Sequence, residues 1–86
     1  MAFQEFVASS VEVDFSMFIG SRLAIDNGIS ADRWPNRKPE SFIVFRDQCW
    51  MAKFADGTFH TAIENQEFFG GFVEVALRIY NWQLES

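Results

Sequence analysis

The chain contains one cysteine and one histidine, Cys49 and His60, the residue types that form a thiolate–imidazole catalytic pair. Such a pair needs direct hydrogen-bond contact between the nucleophile and its base. A hairpin turning at Asp56-Gly57 would set His60 opposite Lys53 and leave Cys49 four residues farther along that strand. At about 3.3 Å per residue the two side chains would then lie ~13 Å apart. The sequence therefore predicts no catalytic residue, and we expect the protein not to be an enzyme.

The sequence also contains no residue pattern typical of a metal or cofactor site. One His and one Cys are too few for a zinc site, and neither CxxC nor HxxxH spacing occurs. Glu12 and Asp14 could act as paired carboxylates, but acids two residues apart are more often the solvated face of a strand. Gly70-Gly71 lies inside a helical pattern rather than in a phosphate-binding loop. We therefore expect no metal site and no cofactor.

Basic residues concentrate in one proline-bounded segment, ADRWPNRKPE, at positions 31–40. The overlapping stretch LAIDNGISADRW resembles the turn of a helix-turn-helix motif, because Ala24 is followed four residues later by Gly28. This resemblance implies a DNA-binding regulator as the alternative function. Its nucleic-acid contacts would be exposed side chains of this segment: Arg33, Trp34, Arg37 and Lys38. Pro35, however, falls where the recognition helix would continue.

Acidic residues outnumber basic ones by twelve to seven, and the formal net charge is −5. Negative charge argues against nucleic acid as a partner, because phosphate neutralisation supplies most of that affinity. It fits a basic protein partner, although acidity also keeps an apolar protein soluble. We therefore expect a non-enzymatic protein–protein interaction module, most concretely a small acidic inhibitor of a basic or nucleic-acid-handling protein. Phage-type counter-defence factors share this size and charge.

Length and composition bound the fold that must position these residues. At 86 residues the chain is predicted to be a single domain, residues 1–86, and 49% hydrophobic residues exclude a disordered chain. A single cysteine forbids an intrachain disulfide, which favours a reducing compartment such as the cytoplasm. The N-terminal residues MAFQEF lack the basic and apolar regions of a signal peptide. No apolar run reaches the ~18 residues of a membrane span, so we expect no membrane contact.

The N-terminal half contains two conflicting patterns. Residues 10–16 alternate polar and apolar side chains, which predicts a strand. Ser9 and Glu12, however, have the spacing of a capping box, which would start a helix there. The strand is favoured for residues 10–16, because their apolar positions scatter when projected on a helix, and one long helix to Asp26 is the open alternative. In the strand interpretation a short helix follows the strand, and Gly28 supplies its C-terminal turn.

The middle of the chain has the pattern of a β-hairpin. SFIVF is a β-branched and aromatic run typical of a strand. CWMAKFADGTFHTAI contains Asp56-Gly57, a strong signal for a two-residue hairpin turn. The register of that turn puts these residues on one core-facing side: Trp50, Ala52, Phe54, Phe59, Thr61 and Ile63.

Residues 67–82, EFFGGFVEVALRIYNW, have the 3.6-residue periodicity of an amphipathic helix. Its central apolar positions, Phe72, Ala76 and Ile79, are predicted to pack on the aromatic side of the hairpin. The predicted fold class is therefore α+β: a small antiparallel sheet with a central β-hairpin, packed against a C-terminal amphipathic helix. The apolar arc of this helix spans about 220°, which is more than one sheet can cover.

The excess apolar surface of this helix predicts a protein interface. The predicted interface consists of apolar residues at the edges of the arc and the acids beside them: Glu67, Val73, Glu74, Leu77, Tyr80 and Trp82. Tyr and Trp are frequent anchors at such surfaces, and neighbouring acids would orient a basic partner. A second copy of the chain about a two-fold axis, a homodimer, is the simplest alternative partner. The competing interpretation is that the N-terminal half of the chain covers both edges.

Overall fold

The computed structural model describes residues 2–61, 67–69 (backbone) and 71–85. These residues form one antiparallel sheet with strand order β1-β2-β3-β4-β5. The strands are β1 (Val11–Asp14), β2 (Ser41–Val44), β3 (Trp50–Lys53), β4 (Thr58–Thr61) and β5 (Glu67–Phe69). The α-helices are α1 (Phe3–Ala8), α2 (Phe15–Ile19), α3 (Arg22–Asp26) and α4 (Phe72–Glu85), and 3-10 helices span Ala31–Arg33 and Arg46–Gln48. The predicted α+β class, with its central hairpin and C-terminal helix, is confirmed.

Both faces of the sheet are covered, by different helices. On one face α4 and α1 enclose a core cluster: Phe6, Ile43, Phe45, Cys49, Met51, Phe59, Val75, Ala76 and Ile79. On the other face α2, α3 and the following loop enclose a second cluster: Phe18, Ala24, Ile29, Phe42, Trp50, Ala52 and Phe54. Strands buried on two faces carry apolar residues at consecutive positions, as in the WMA of β3, rather than at alternate positions. Within the described ranges, no helix combines the length and apolar character that a bilayer crossing requires.

Strand β1 is followed by two short helices, so a strand rather than one long helix is confirmed here, although it ends at Asp14 and not at the predicted residue 16. The predicted single short helix is divided at Gly20-Ser21. Ser21 becomes the N-cap of α3, where its Oγ accepts a hydrogen bond from the Ala24 amide (3.3 Å). Such a cap satisfies an amide that has no partner within its own helix, and this favours a new helix start over continuation of α2.

The β3–β4 hairpin has a register one residue away from the predicted one. Its pairs are Met51 with Thr61, Ala52 with His60, and Lys53 with Phe59. The loop has three residues, 55–57, rather than two, and the Phe54 amide donates to the Thr58 carbonyl (3.0 Å) to close it. Gly57 takes a φ of +89° in this wider turn, a conformation that glycine adopts without steric cost.

The shifted register separates residues that were predicted to share one face. Phe59 belongs to the cluster beneath α4, whereas Trp50 and Phe54 belong to the cluster on the opposite face. The prediction that Trp50, Phe54 and Phe59 form one aromatic side is therefore wrong, because a one-residue slip transfers a strand's side chains to the other face. The predicted position of Ile63 lies outside the described residues.

The C-terminal helix begins later than its periodicity suggests. Residues 67–69 form β5 and pair with β4, so the predicted helix start at residue 67 is wrong. Sheet hydrogen bonds outweigh local helical propensity in this segment. Ala76 and Ile79 are buried as predicted, while Phe72 is half-buried and stacks on Phe45 with ring centroids 5.9 Å apart.

Candidate protein-binding surface

The outer side of α4 carries a row of apolar side chains exposed to solvent. Val73, Leu77 and Leu84 are 57%, 43% and 65% exposed, and Tyr80 is half-buried among them. These four residues, together called the α4 stripe, follow one another at intervals of four, three and four. At about 100° per residue they fall within a ~60° sector of the helix. The stripe is therefore an apolar row on one side of α4.

The N-terminal helix covers one part of the stripe. The rings of Phe3 and Phe6 each lie 5.4 Å from the ring of Tyr80, which explains why Tyr80 is half-buried. Val73 and Leu77 stay exposed beside it. The interpretation in which the N-terminal half covers both edges of the helix is therefore wrong.

Acidic side chains border the stripe. Glu74 and Glu85 are exposed on the adjoining arc of α4. Arg78 is the one basic residue within Phe72–Glu85. A partner laid on this side of α4 would therefore meet apolar contact area together with net negative charge.

Four of the six predicted interface residues meet on this side of α4: Val73, Glu74, Leu77 and Tyr80. Trp82 is 41% exposed but follows Val73 by nine residues, which places it about 180° around the helix, so one flat partner cannot contact both. Glu67 lies in β5 rather than on the helix. Leu84 was missed because the helix was predicted to end at residue 82, although it follows Leu77 by the seven residues that return to the same side.

The predicted nucleic-acid segment is packed onto the sheet, so the expectation that all four of its contact residues are exposed is wrong. Lys38 alone among the four is exposed. The half-buried Trp34 ring has its centroid 5.6 Å from that of Phe42, 6.2 Å from Phe54 and 5.7 Å from His60. The Trp34 indole N–H also donates to Nδ1 of His60 (2.8 Å). A tryptophan held on several sides in this way is not a platform on which nucleic-acid bases can stack.

The bases of this segment make contacts within the chain. Each cation lies over an aromatic ring: Arg33 over Trp34 and Trp50 (5.5 and 5.4 Å), Arg37 over Phe54 (3.9 Å), and Lys38 over Phe15 (4.6 Å). Arg37 also donates to the Asp56 carboxylate (2.8 Å). Cation–π and ion-pair contacts hold these charges against the protein's own surface, which disfavours their use as phosphate ligands.

The turn at Gly28 is not followed by a recognition helix. α3 ends in a Schellman motif, in which Gly28 has a φ of +68° and the Ile29 amide donates to the Ala24 carbonyl (2.8 Å). The next element is the 3-10 helix Ala31–Arg33, only three residues long. A helix-turn-helix protein reads DNA with a second α-helix in the major groove. Residues 29–40 supply no such helix.

Cys49 and His60 lie on opposite faces of the sheet. Cys49 is buried in the cluster beneath α4, whereas His60 contacts Trp34 on the other face. A nucleophile–base pair cannot form from this arrangement, since it requires direct hydrogen-bond contact. In the part of the chain that the structure describes, no group of three or more His, Cys, Asp or Glu side chains is arranged to hold a metal ion.

Comparison with protein-family models, with curated proteins and with solved structures finds no match to this chain. The described surface has two distinctive features: the α4 stripe on one side of the sheet, and the Trp34–His60 hydrogen bond on the other.

Proposed function

We propose that the protein is a non-enzymatic protein-binding module that uses the α4 stripe as its contact surface. The observation that supports this is the row of exposed large apolar side chains Val73, Leu77 and Leu84 on one side of a single helix. Scattered exposed apolar residues are ordinary on protein surfaces. A row on one side of a helix is different, because a partner that covers it removes several apolar side chains from water together.

The spacing of the stripe favours a helix as the contacting element. Intervals of four, three and four residues are those at which the side chains of two packed helices interlock. A partner helix lying along α4 would contact Val73, Leu77 and Leu84, as amphipathic helices do when they dock on apolar surfaces. Tyr80 would contribute only the part of its side chain that Phe3 and Phe6 leave exposed.

Charge favours a basic partner. The chain carries a net charge of −5, and Glu74 and Glu85 border the stripe itself. Opposite charge across the contact would accelerate association and fix its orientation. The most concrete form of this function is an acidic inhibitor of a basic, nucleic-acid-handling protein in the cytoplasm, such as a phage-type counter-defence factor.

The test compares two double variants for binding to a purified partner. The partner is captured from the native host with the unmodified protein, identified, purified and titrated calorimetrically. Leu77→Ser with Leu84→Ser interrupts the stripe, and we expect it to weaken binding ~10-fold or more. The matched control is Met17→Ser with Ile25→Ser, which changes two apolar residues, 69% and 66% exposed, on α2 and α3. This control should bind with the affinity of the unmodified protein. The affinity of the unmodified protein for its partner should fall as salt is added.

Equal weakening by the two double variants would contradict the stripe as the contact surface. An acidic partner, or an affinity that does not respond to salt, would contradict the basic-partner assignment while leaving the contact surface in place.

A further inference from the structure

On the face of the sheet opposite α4, a hydrogen bond joins two side chains that are 26 positions apart in the chain. The Trp34 indole N–H donates to Nδ1 of His60 (2.8 Å), and the two rings stand nearly perpendicular at 79°. Trp34 directly follows the 3-10 helix Ala31–Arg33, while His60 belongs to β4. The bond therefore fastens the long connection between α3 and β2 to the sheet.

This bond requires one protonation state of His60. Nδ1 accepts a hydrogen bond only when it carries no proton, so the imidazole must be neutral with its proton on Nε2. In the imidazolium both ring nitrogens carry protons, and Nδ1–H would be directed at the indole N–H. His60 is the only histidine in the sequence, so a side-chain titration between about pH 5.5 and 8 can be assigned to it.

Charged groups around His60 act in both directions on its protonation. Arg33 and Asp32 line an open cavity of about 710 Å³ together with His60. Arg33 disfavours a positive charge on the imidazole, and Asp32 favours one. Across the strands, His60 is paired with the uncharged Ala52 of β3 and, through its backbone, with Glu67 of β5. The hydrogen bond needs an unprotonated Nδ1 whatever charges surround the ring.

We propose that the Trp34–His60 hydrogen bond is a pH-sensitive latch that holds residues 31–39 on the sheet at neutral pH and loosens on acidification. The stabilisation from the bond is present while the imidazole is neutral and is lost as the pH falls through its titration. Loosening would uncover the rings against which Trp34 packs, those of Phe42, Trp50 and Phe54. The latch lies on the opposite face from the α4 stripe, so it is independent of the proposed protein binding.

Nuclear magnetic resonance of the unmodified, ¹⁵N-labelled protein tests the latch directly. The Trp34 indole N–H is assigned through its contacts with the His60 ring and followed from about pH 8 to about pH 5.5. We expect its resonance to shift with the same midpoint as the His60 ring, and the ring nitrogens at high pH to show a proton on Nε2. The indole N–H of Trp82, on α4, should not follow this titration. If the chemical shift of the Trp34 indole N–H does not change as His60 titrates, the proposal is wrong.

Thermal unfolding of two matched variants supplies the second test. Trp34→Phe keeps an aromatic ring but lacks the donor, whereas Trp82→Phe makes the same change on α4. The unmodified protein and Trp82→Phe should each melt about 4–8 °C lower at about pH 5.5 than at about pH 8. Trp34→Phe should melt at nearly the same temperature at both pH values. If it keeps the full decrease, the hydrogen bond is not the source of the pH dependence and the latch is wrong.

Discussion

Among single residues, Trp50 buries a polar group at a clear cost in folding free energy. Its side chain is 2% exposed, and its indole N–H is buried with no acceptor among the described residues. A buried donor without a partner costs about 1–3 kcal/mol. The large ring nevertheless fills the space between Phe42, Phe18 and Trp34, whose rings all lie within 6.4 Å of its own. Packing therefore offsets the unsatisfied N–H at this position.

We expect Trp50→Phe to be less destabilising than its loss of volume suggests, because the substitution removes the unsatisfied donor together with part of the ring. The matched control is Phe42→Leu, which removes volume from the same cluster without removing a polar group and should cost about 1–3 kcal/mol. Urea unfolding measures both. If Trp50→Phe costs clearly more free energy than Phe42→Leu, the indole N–H has a partner that offsets its burial.

Asp56 gives the turn a pH dependence of known sign. Hydrogen bonds from the Thr58 hydroxyl (2.7 Å) and then from the Thr58 amide (3.1 Å) lower the pKa of Asp56 below its ordinary 3.8, with a smaller effect of Arg37 in the same direction. Because the folded pKa is the lower one, this stabilisation is present above pH 3.8 and is lost as the pH falls through the folded value. We expect Asp56→Asn to flatten the decrease in melting temperature between about pH 4.5 and pH 2.5. Asp26→Asn, which removes a carboxylate from an exposed ion pair on α3, is the control; an equal effect of both would contradict the role of Thr58.

At the scale of elements, the hairpin turn can be tested through a pair of glycines. Gly57 has a φ of +89°, whereas Gly20, at the end of α2, has a φ of −85°. A Cβ added at either position would meet nothing within 4 Å, so only backbone conformation distinguishes them. We expect Gly57→Ala to cost about 1–2 kcal/mol and Gly20→Ala to be nearly neutral in urea unfolding. Equal costs would mean that Gly57 does not hold a left-handed conformation in solution.

The same hairpin shows why its register could not be predicted. The Asp56-Gly57 pair located the turn correctly, but two-residue and three-residue loops both place glycine at a positive φ. The choice depends on contacts such as the Thr58 bonds to Asp56, which no periodicity displays. The alternation of polar and apolar residues could not reveal the register either. Trp50 and Met51 are consecutive and both buried, on opposite faces of the sheet.

For α4, the apolar periodicity of the sequence predicted which side faces the core and most of the stripe. It did not predict the first residue of the helix. Ala76 and Ile79 are buried, and Val73 and Leu77 are exposed, because a 3.6-residue period assigns sides regardless of what lies nearby. Residues 67–69 depart from that pattern because β4 provides them with a hydrogen-bonding partner strand. The Trp34–His60 bond was likewise beyond prediction, since the two residues meet only through the tertiary fold.

For the whole molecule, exposed apolar surface favours self-association and net charge disfavours it. Two copies joined through the α4 stripe would bury apolar side chains, but they would also bring together two net charges of −5. A basic partner meets no such opposition. Added salt distinguishes the cases, because it weakens attraction between opposite charges and repulsion between like charges while leaving apolar burial nearly unchanged.

We therefore expect the isolated protein to sediment as a monomer at low salt, near 0.02 M, where the screening length exceeds ~20 Å. Any dimer should form only as salt rises towards ~1 M, where that length falls to about 3 Å. Such a dimer should be lost in Leu77→Ser and kept in Ile25→Ser, which alters an exposed apolar residue on the other face. Sedimentation equilibrium of the three proteins at both salt concentrations measures this. A dimer that is stable at low salt and sensitive to Leu77→Ser would make a second copy, rather than a basic protein, the natural occupant of the stripe.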